Sequence, residues 1–236
     1  EQGWYFKRDA SEYFQLSEGT TVANNTDPVG YIGDTTANGN NATQATAAER
    51  GLLTAQGVEF DGTDDFYDLP GAALGAPSGS NTFIAVVRAE GSDFMGLVYG
   101  ENAGSTAGFV CLISGVGGGA NDGEIRIAVI QTSGATIANG TTNLRDGNLH
   151  VLTYVYDRTN LRLKARVDGA TEVDVAVSNK DKTSVDRALF GRGIETNRTE
   201  FDGLIGDNMN IARALTDAEI DTVEQAFADR WGVTLP

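Results

Sequence analysis

The sequence predicts an all-β sandwich closed by one C-terminal helix, and three features predict it. From residue 57 onward, short apolar stretches alternate with polar residues at period two, the spacing that sends successive strand side chains to opposite faces. Gly, Asn and Asp break these stretches at short, regular intervals, which fits a sandwich of short strands rather than alternating β–α units. Thr216-Asp217-Ala218-Glu219 then opens a passage with helical periodicity.

Strands are expected over 57–62, 66–69, 81–89, 94–99, 109–114, 124–131, 135–142, 149–157, 161–168, 172–177, 188–191 and 201–212. Within the first, Val58 and Phe60 alternate with Glu59 and Asp61 before a turn at Gly62. After Arg158-Thr159-Asn160, Leu161 to Val167 alternate without a break, leaving Arg162, Lys164 and Arg166 on one face. That row reads as the solvated face of a strand, with contact to an acidic partner as the alternative. Cys111, inside Phe109-Val110-Cys111-Leu112-Ile113, reads as a small buried hydrophobe.

At the C-terminus, Thr216 and Glu219 have the spacing of a capping box. Asp217, Glu219 and Asp221 suit the positive end of the helix dipole. Ile220, Val223, Phe227 and Trp231 recur at helical spacing as a buried stripe, and Gly232 ends the helix. The first fifty residues are polar and rich in Gly, Asn and Thr, and alone cannot bury a core. They are expected to wrap the sandwich, with one short strand at most between Asn38 and Ala48. The organisation expected is one domain: a wrapping lead-in over 1–56, a core over 57–213 and a helix over 216–231. The opening Glu1-Gln2-Gly3-Trp4 has neither an initiator Met nor a leader pattern, so the chain is expected to be part of a longer one.

The formal net charge is −16, from 17 Lys and Arg against 33 Asp and Glu. Such a surface repels phosphate backbones and anionic lipid. No apolar run has the length a helical membrane span needs. Nucleic-acid binding and membrane insertion are therefore not expected. Sequons at Asn24, Asn41, Asn139 and Asn197 are read as chance products of a turn-rich sequence.

Catalytic chemistry finds little support. Glu59 and Asp61 share a strand face and are the best candidate pair for glycoside hydrolysis, which needs two carboxylates about 5–5.5 Å apart in retaining enzymes. Trp4 and Trp231, the two tryptophans, lie at the chain ends rather than near that pair. His150 is the single histidine, and no Gly-x-Ser-x-Gly elbow accompanies it. One His and one Cys do not make a zinc site. Gly115 to Gly119 lacks the lysine and helix of a phosphate loop.

Several motifs then fall into one pattern. Val58-Glu59-Phe60-Asp61-Gly62-Thr63-Asp64-Asp65, Asp146-Gly147-Asn148-Leu149-His150-Val151-Leu152 with Val167-Asp168-Gly169, and Phe201-Asp202-Gly203-Leu204-Ile205-Gly206-Asp207 with Ile211-Ala212-Arg213-Ala214-Leu215-Thr216 stand in that order. Together they resemble the laminin-G-like, concanavalin A-like jelly rolls, with Leu149 where that family usually has Trp. The resemblance implies a jelly-roll β-sandwich. It also implies calcium at one sandwich edge in many relatives, with Asp61, Asp64, Asp65, Asp202 and Asp207 as candidate ligands here, although the Asp-x-Asp-x-Asp-Gly loop is absent. No other cofactor is expected.

A narrower resemblance covers the first fifty residues. Glu1 to Tyr5, Leu16 to Thr21, Asp27-Pro28-Val29-Gly30 and Gly39 to Thr46 are similar to a lead-in of tailed-bacteriophage virion proteins, departing from it at Phe6-Lys7-Arg8. This resemblance implies a non-enzymatic virion surface module on tail or capsid, present in several copies, that contacts host-surface glycans. Decoration or cementing of the particle through other virion proteins is the alternative, and a glycan hydrolase using Glu59 and Asp61 the second.

Overall fold

The computed structural model describes residues 3–7, 12–102, 105–115, 122–131, 134–178, 181–193 and 198–236. The glycine loop at 116–119 and the fourth sequon asparagine, Asn197, lie outside them. With strands numbered along the chain, one sheet runs β15 (Ala170–Ala176), β14 (Arg162–Val167), β13 (His150–Asp157), β8 (Asn81–Ala89), β18 (Asp202–Ile211), β6 (Gly57–Asp61) and β5 (Leu52–Thr54). β1 (Gly3–Phe6) pairs with the second half of β18.

The other sheet runs β12 (Gly134–Asn139), β11 (Ile125–Gln131), β10 (Ser105–Ile113), β9 (Phe94–Asn102), β16 (Arg187–Phe190), β7 (Tyr67–Pro70), β4 (Ala42–Thr43), β3 (Tyr31–Ile32) and β2 (Tyr13–Phe14). β17 (Arg198–Thr199) lies parallel to β9, whereas the ladders of the main path are antiparallel. The expected strand grammar is thus realised, with boundaries moved by a few residues.

The core lies between the sheets, filled by the apolar half of each alternating strand. Phe83, Ala85 and Val87 of β8 and Leu152, Tyr154 and Tyr156 of β13 meet Phe109, Cys111 and Ile113 of β10 and Ile127 and Val129 of β11. Phe109 and Tyr154 stack across the gap with ring centroids 4.8 Å apart, a contact worth about 1 kcal/mol beyond burial alone. Cys111 is fully enclosed, and burial pushes its thiol up to about 12.

A second apolar layer joins the outer face of the eight-stranded sheet to α1 (Asp217–Trp231). Ile84, Val86, Val151, Val155 and Leu204 pack against Ile220, Phe227, Ala228 and Trp231. The capping box forms as expected, with the Glu219 amide donating to the Thr216 hydroxyl and the Thr216 amide donating to the Glu219 carboxylate. Gly232 closes the helix in the left-handed region. Trp231 is a packing anchor: a methyl group on Gly206 would lie 2.4 Å from its ring.

The lead-in adds strands to both sheets, and its Asn- and Thr-rich loop covers the free edge of β1. The Asp34 carboxylate accepts from the amides of Tyr5, Thr36 and Asn40, while Asn38 and Asn40 donate to the Gly3 carbonyl. Exposed sheet edges invite pairing with other chains, so this loop occupies groups that would otherwise be open.

Candidate functional site

The sequence motifs meet in pairs. Phe60-Asp61-Gly62 and Phe201-Asp202-Gly203 run antiparallel on neighbouring strands, Asp61 opposite Asp202 and Phe60 opposite Gly203. The two phenylalanine rings pack edge to face at 6.0 Å. Gly62, at φ +69°, leaves the room that Asp202 fills. This pairing builds an acidic corner at one end of the sandwich, where carboxylate oxygens of Asp61, Asp64 and Asp65 lie within 4.8 Å of one another.

Asp65 is only 5% exposed. Burial first, and then the charges of Asp61 and Asp64, raise its carboxyl to about 6, although the Asp61 amide donates to it. Asp202 is raised as well, by burial and by Glu90 and Asp61. Burial thus comes before mutual repulsion as the cause of both shifts, and the donors of the corner are all hard oxygens. That set fits Ca²⁺, which takes six to eight such ligands. Asp61, Asp64 and Asp65 would hold it, with Asp202 opposite Asp61 on the neighbouring strand.

Asp207, the remaining sequence candidate, is not part of this corner. It lies further along β18 with no exposed surface, its carboxylate accepting from the Arg230 guanidinium at 2.8 Å. Glu59 is also engaged: Arg88 donates to both its oxygens, at 3.0 and 3.3 Å, and bridges to Glu90 at 2.7 Å. Burial raises Glu59 in spite of Arg88. Trp4 is buried and donates to Asn208 at 2.9 Å. Neither tryptophan offers a ring to a ligand.

The second motif pair meets at His150. Its Nδ1 lies 2.7 Å from Asp168 and its Nε2 3.1 Å from Asp146. Burial opposes its charge, but the two carboxylates outweigh burial and hold the imidazole above its ordinary range. Asp168 also accepts from the Val151 amide at 2.8 Å. The histidine is thus a structural tie between two turns.

The basic row faces the helix. Arg162 pairs with Asp174 at 2.7 Å, Lys164 with Asp217 at 3.5 Å, and Arg166 with Asp221 at 2.7 Å and Glu224 at 2.9 Å. The expected solvated face is therefore corrected: much of the stripe's acidic partner is this chain's own helix. Glu224, absent from the expected helical stripe, is fully buried and accepts from the Thr153 hydroxyl at 2.6 Å.

α1 covers much of the outer face of the eight-stranded sheet, with depressions beside the helix and beside β1, whereas the outer face of the ten-stranded sheet carries no helix. Cross-strand partners share a face, and one row crosses the ten-stranded sheet: Tyr31, Thr43, Asp68, Leu189, Tyr99, Val110, Ala128 and Ile137. Its middle is apolar and covered. At Gly96 an added methyl would run into the Arg192–Gly193 backbone, and the Arg192 guanidinium stacks 4.5 Å from the Phe66 ring centroid.

The Tyr31 end is open, and its lining mixes apolar surface from Leu69 and Pro70 with polar side chains. There Tyr31, Asn41, Thr43, Asp68, Asp186 and Arg187 line a shallow depression of about 470 Å³. Arg187 donates to Asp68 and lies 3.8 Å from Glu101. Sequence reading missed these residues. The strands that carry Tyr31 and Thr43 are two residues long, too short for alternation to register.

The fold, the motif pairs and the sequence place the chain in one family. It belongs to the Concanavalin A-like lectin/glucanases superfamily, whose sequence profile matches residues 61–221. No curated protein sequence matches the chain significantly. Among solved structures, the binding domain of Paraclostridial Mosquitocidal Protein 1 superposes with a TM-score of 0.66 at 9% identity, over 95% of this chain and 52% of its own. The receptor binding domain of botulinum neurotoxin D gives 0.65 at 11% identity, over 98% and 55%. The CBM40 of Ruminococcus gnavus IT-sialidase, also solved bound to α2,3 sialyllactose, gives 0.58 at 18% identity, over 72% and 96%. The chain spans about half the length of the two toxin domains. At these identities the likeness is one of fold.

Proposed function

We propose that the chain is a non-catalytic glycan-binding module whose contact surface is the open end of the ten-stranded sheet. The observation that carries this reading is the depression around Tyr31. It combines a partly exposed aromatic ring with Asn41, Thr43, Asp68 and Arg187 on paired strands. Sugar rings lay their C–H faces on aromatic rings and bond their hydroxyls to amide, carboxylate and guanidinium groups. Binding domains among the fold neighbours support the reading: the CBM40 binds sialyllactose, and the neurotoxin D ligand binding domain was solved with N-acetylneuraminic acid.

In this proposal the acidic corner holds calcium and stiffens the turn after β6. The lead-in resemblance adds the setting, a phage tail or capsid bearing several copies that touch host-surface glycans. Binding of the isolated chain to a multivalent glycan panel, with and without calcium, tests the reading. Tyr31→Ala and Arg187→Ala should each weaken binding about tenfold or more in a chain that still unfolds cooperatively, with some loss of melting temperature for Tyr31→Ala, whose ring packs on Phe14 at 5.4 Å. A folded chain that binds no glycan in multivalent format overturns the proposal, and binding to virion proteins alone would replace it with particle decoration.

A further inference from the structure

We infer that the depression selects uncharged, hydroxyl-rich glycans and rejects carboxylate-bearing ones; this rests on the glycan-binding reading above. The reason is the charge around it. Asp68 and Asp186 line the depression beside a single guanidinium, Arg187. That guanidinium is already engaged by Asp68, and Glu101 stands 3.8 Å from it.

Two more carboxylates adjoin the strand of Tyr31: the Gly33 amide donates to the Glu12 carbonyl, and Asp34 follows Gly33. Burial first, and then these two charges, raise the Tyr31 phenol above its ordinary range. Two other guanidinium groups are engaged by the chain itself: Arg192 pairs with Glu200 at 3.1 Å, and Arg50 donates to the carbonyls of Gln44, Gln15 and Ala45. A sugar acid entering here would have to displace Asp68 from Arg187 while facing Asp186, and would meet the field of a chain with net charge −16. Like charges at such spacing repel strongly when partly desolvated. Hydroxyl groups meet no such barrier, because carboxylates and the guanidinium accept and donate hydrogen bonds to them. The selectivity thus runs opposite to that of the sialic-acid-binding fold neighbours.

The test uses matched probes: multivalent lactose against sialyllactose, and dextran against carboxymethyl-dextran. Binding is measured by biolayer interferometry at about 20 mM and about 300 mM salt, because screening shortens the reach of exposed charge. The expected result is binding of a neutral probe, with its carboxylated partner at least about tenfold weaker at low salt and the gap narrower at high salt. Asp186→Lys should narrow the low-salt gap by favouring the carboxylated probe. Equal or tighter binding of the carboxylated probe to the wild-type chain overturns the inference while leaving glycan binding intact. A Glu- and Asp-independent gap, unchanged by Asp186→Lys and by salt, also overturns it. Failure of every probe, on a wider neutral panel as well, removes the glycan reading itself.

Discussion

Replacing Glu224 with alanine tests whether the helix is held to the sheet by a buried polar tie as well as by apolar packing. Glu224 has no exposed surface, accepts from Thr153 at 2.6 Å and lies 2.9 Å from Arg166. Removing one partner of a buried ion pair costs about 3–5 kcal/mol. Arg166 keeps Asp221 and the Gly169 carbonyl, which puts this pair near the lower end of that range. The buried Thr153 hydroxyl loses its acceptor, adding about 1 kcal/mol.

Glu224→Ala should therefore destabilise by about 3–4 kcal/mol, and Glu224→Gln, which keeps an acceptor for Thr153, by about half as much. For a chain of this size that corresponds to roughly 10 °C in Tm for the alanine variant. Guanidinium unfolding followed by tryptophan fluorescence reads both, because Trp231 sits on the same helix. An alanine variant within 1 kcal/mol of wild type would refute the reasoning, as would equal losses for alanine and glutamine.

Three further outcomes follow from the same structure. His150 gains its charge stabilisation in the folded state, so that contribution is present below the ordinary histidine range and is lost as pH rises through the raised folded value. Melting from pH 5.5 to 8.5 should show a downward slope that is shallower in His150→Gln, where the part set by Asp65 near pH 6 persists, and identical slopes would sink the assignment. Gly206→Ala would place a methyl 2.4 Å from the Trp231 ring, so a loss of about 1–3 kcal/mol is expected from overpacking, with a shifted tryptophan emission as the second readout. Calcium should raise the melting temperature of the wild type at neutral pH and leave Asp61→Asn or Asp64→Asn unmoved; isothermal titration showing no heat and no stabilisation would remove calcium from the acidic corner.

Glycan selection on this face would come from charge placed around a neutral contact rather than from the fold. Superfolds host many ligands on one scaffold, and here the scaffold's likeness to sialic-acid binders coexists with a carboxylate-rich rim at Asp68, Asp186 and Glu101. Asp68 and Glu101 stand on interior strands of the ten-stranded sheet, and Asp186 lies in the segment that leads into Arg187.

The long strands and the helix were legible in the sequence because their signals are local. Alternation over Arg162–Val167 states which side chains share a face, the apolar run Asn81–Ala89 marks a strand buried on both faces, and Thr216 with Glu219 states where the helix begins. The acidic corner was legible in part, since Asp61, Asp64 and Asp65 are close along the chain. Register places Asp202 opposite Asp61, beside the cluster, whereas Asp207 lies apart from it, its side chain taken by Arg230 of the helix. The lead-in strands β2 to β4 carry no periodicity, being two residues each, and form because longer strands offer them an edge. The basic row was visible, but not that the helix supplies Asp217, Asp221 and Glu224 to meet it. The depression at Tyr31 joins residues from three distant segments, 31–43, 68–70 and 186–187. Such a site is written in no stretch of sequence, since only the pairing of strands brings those side chains to one face.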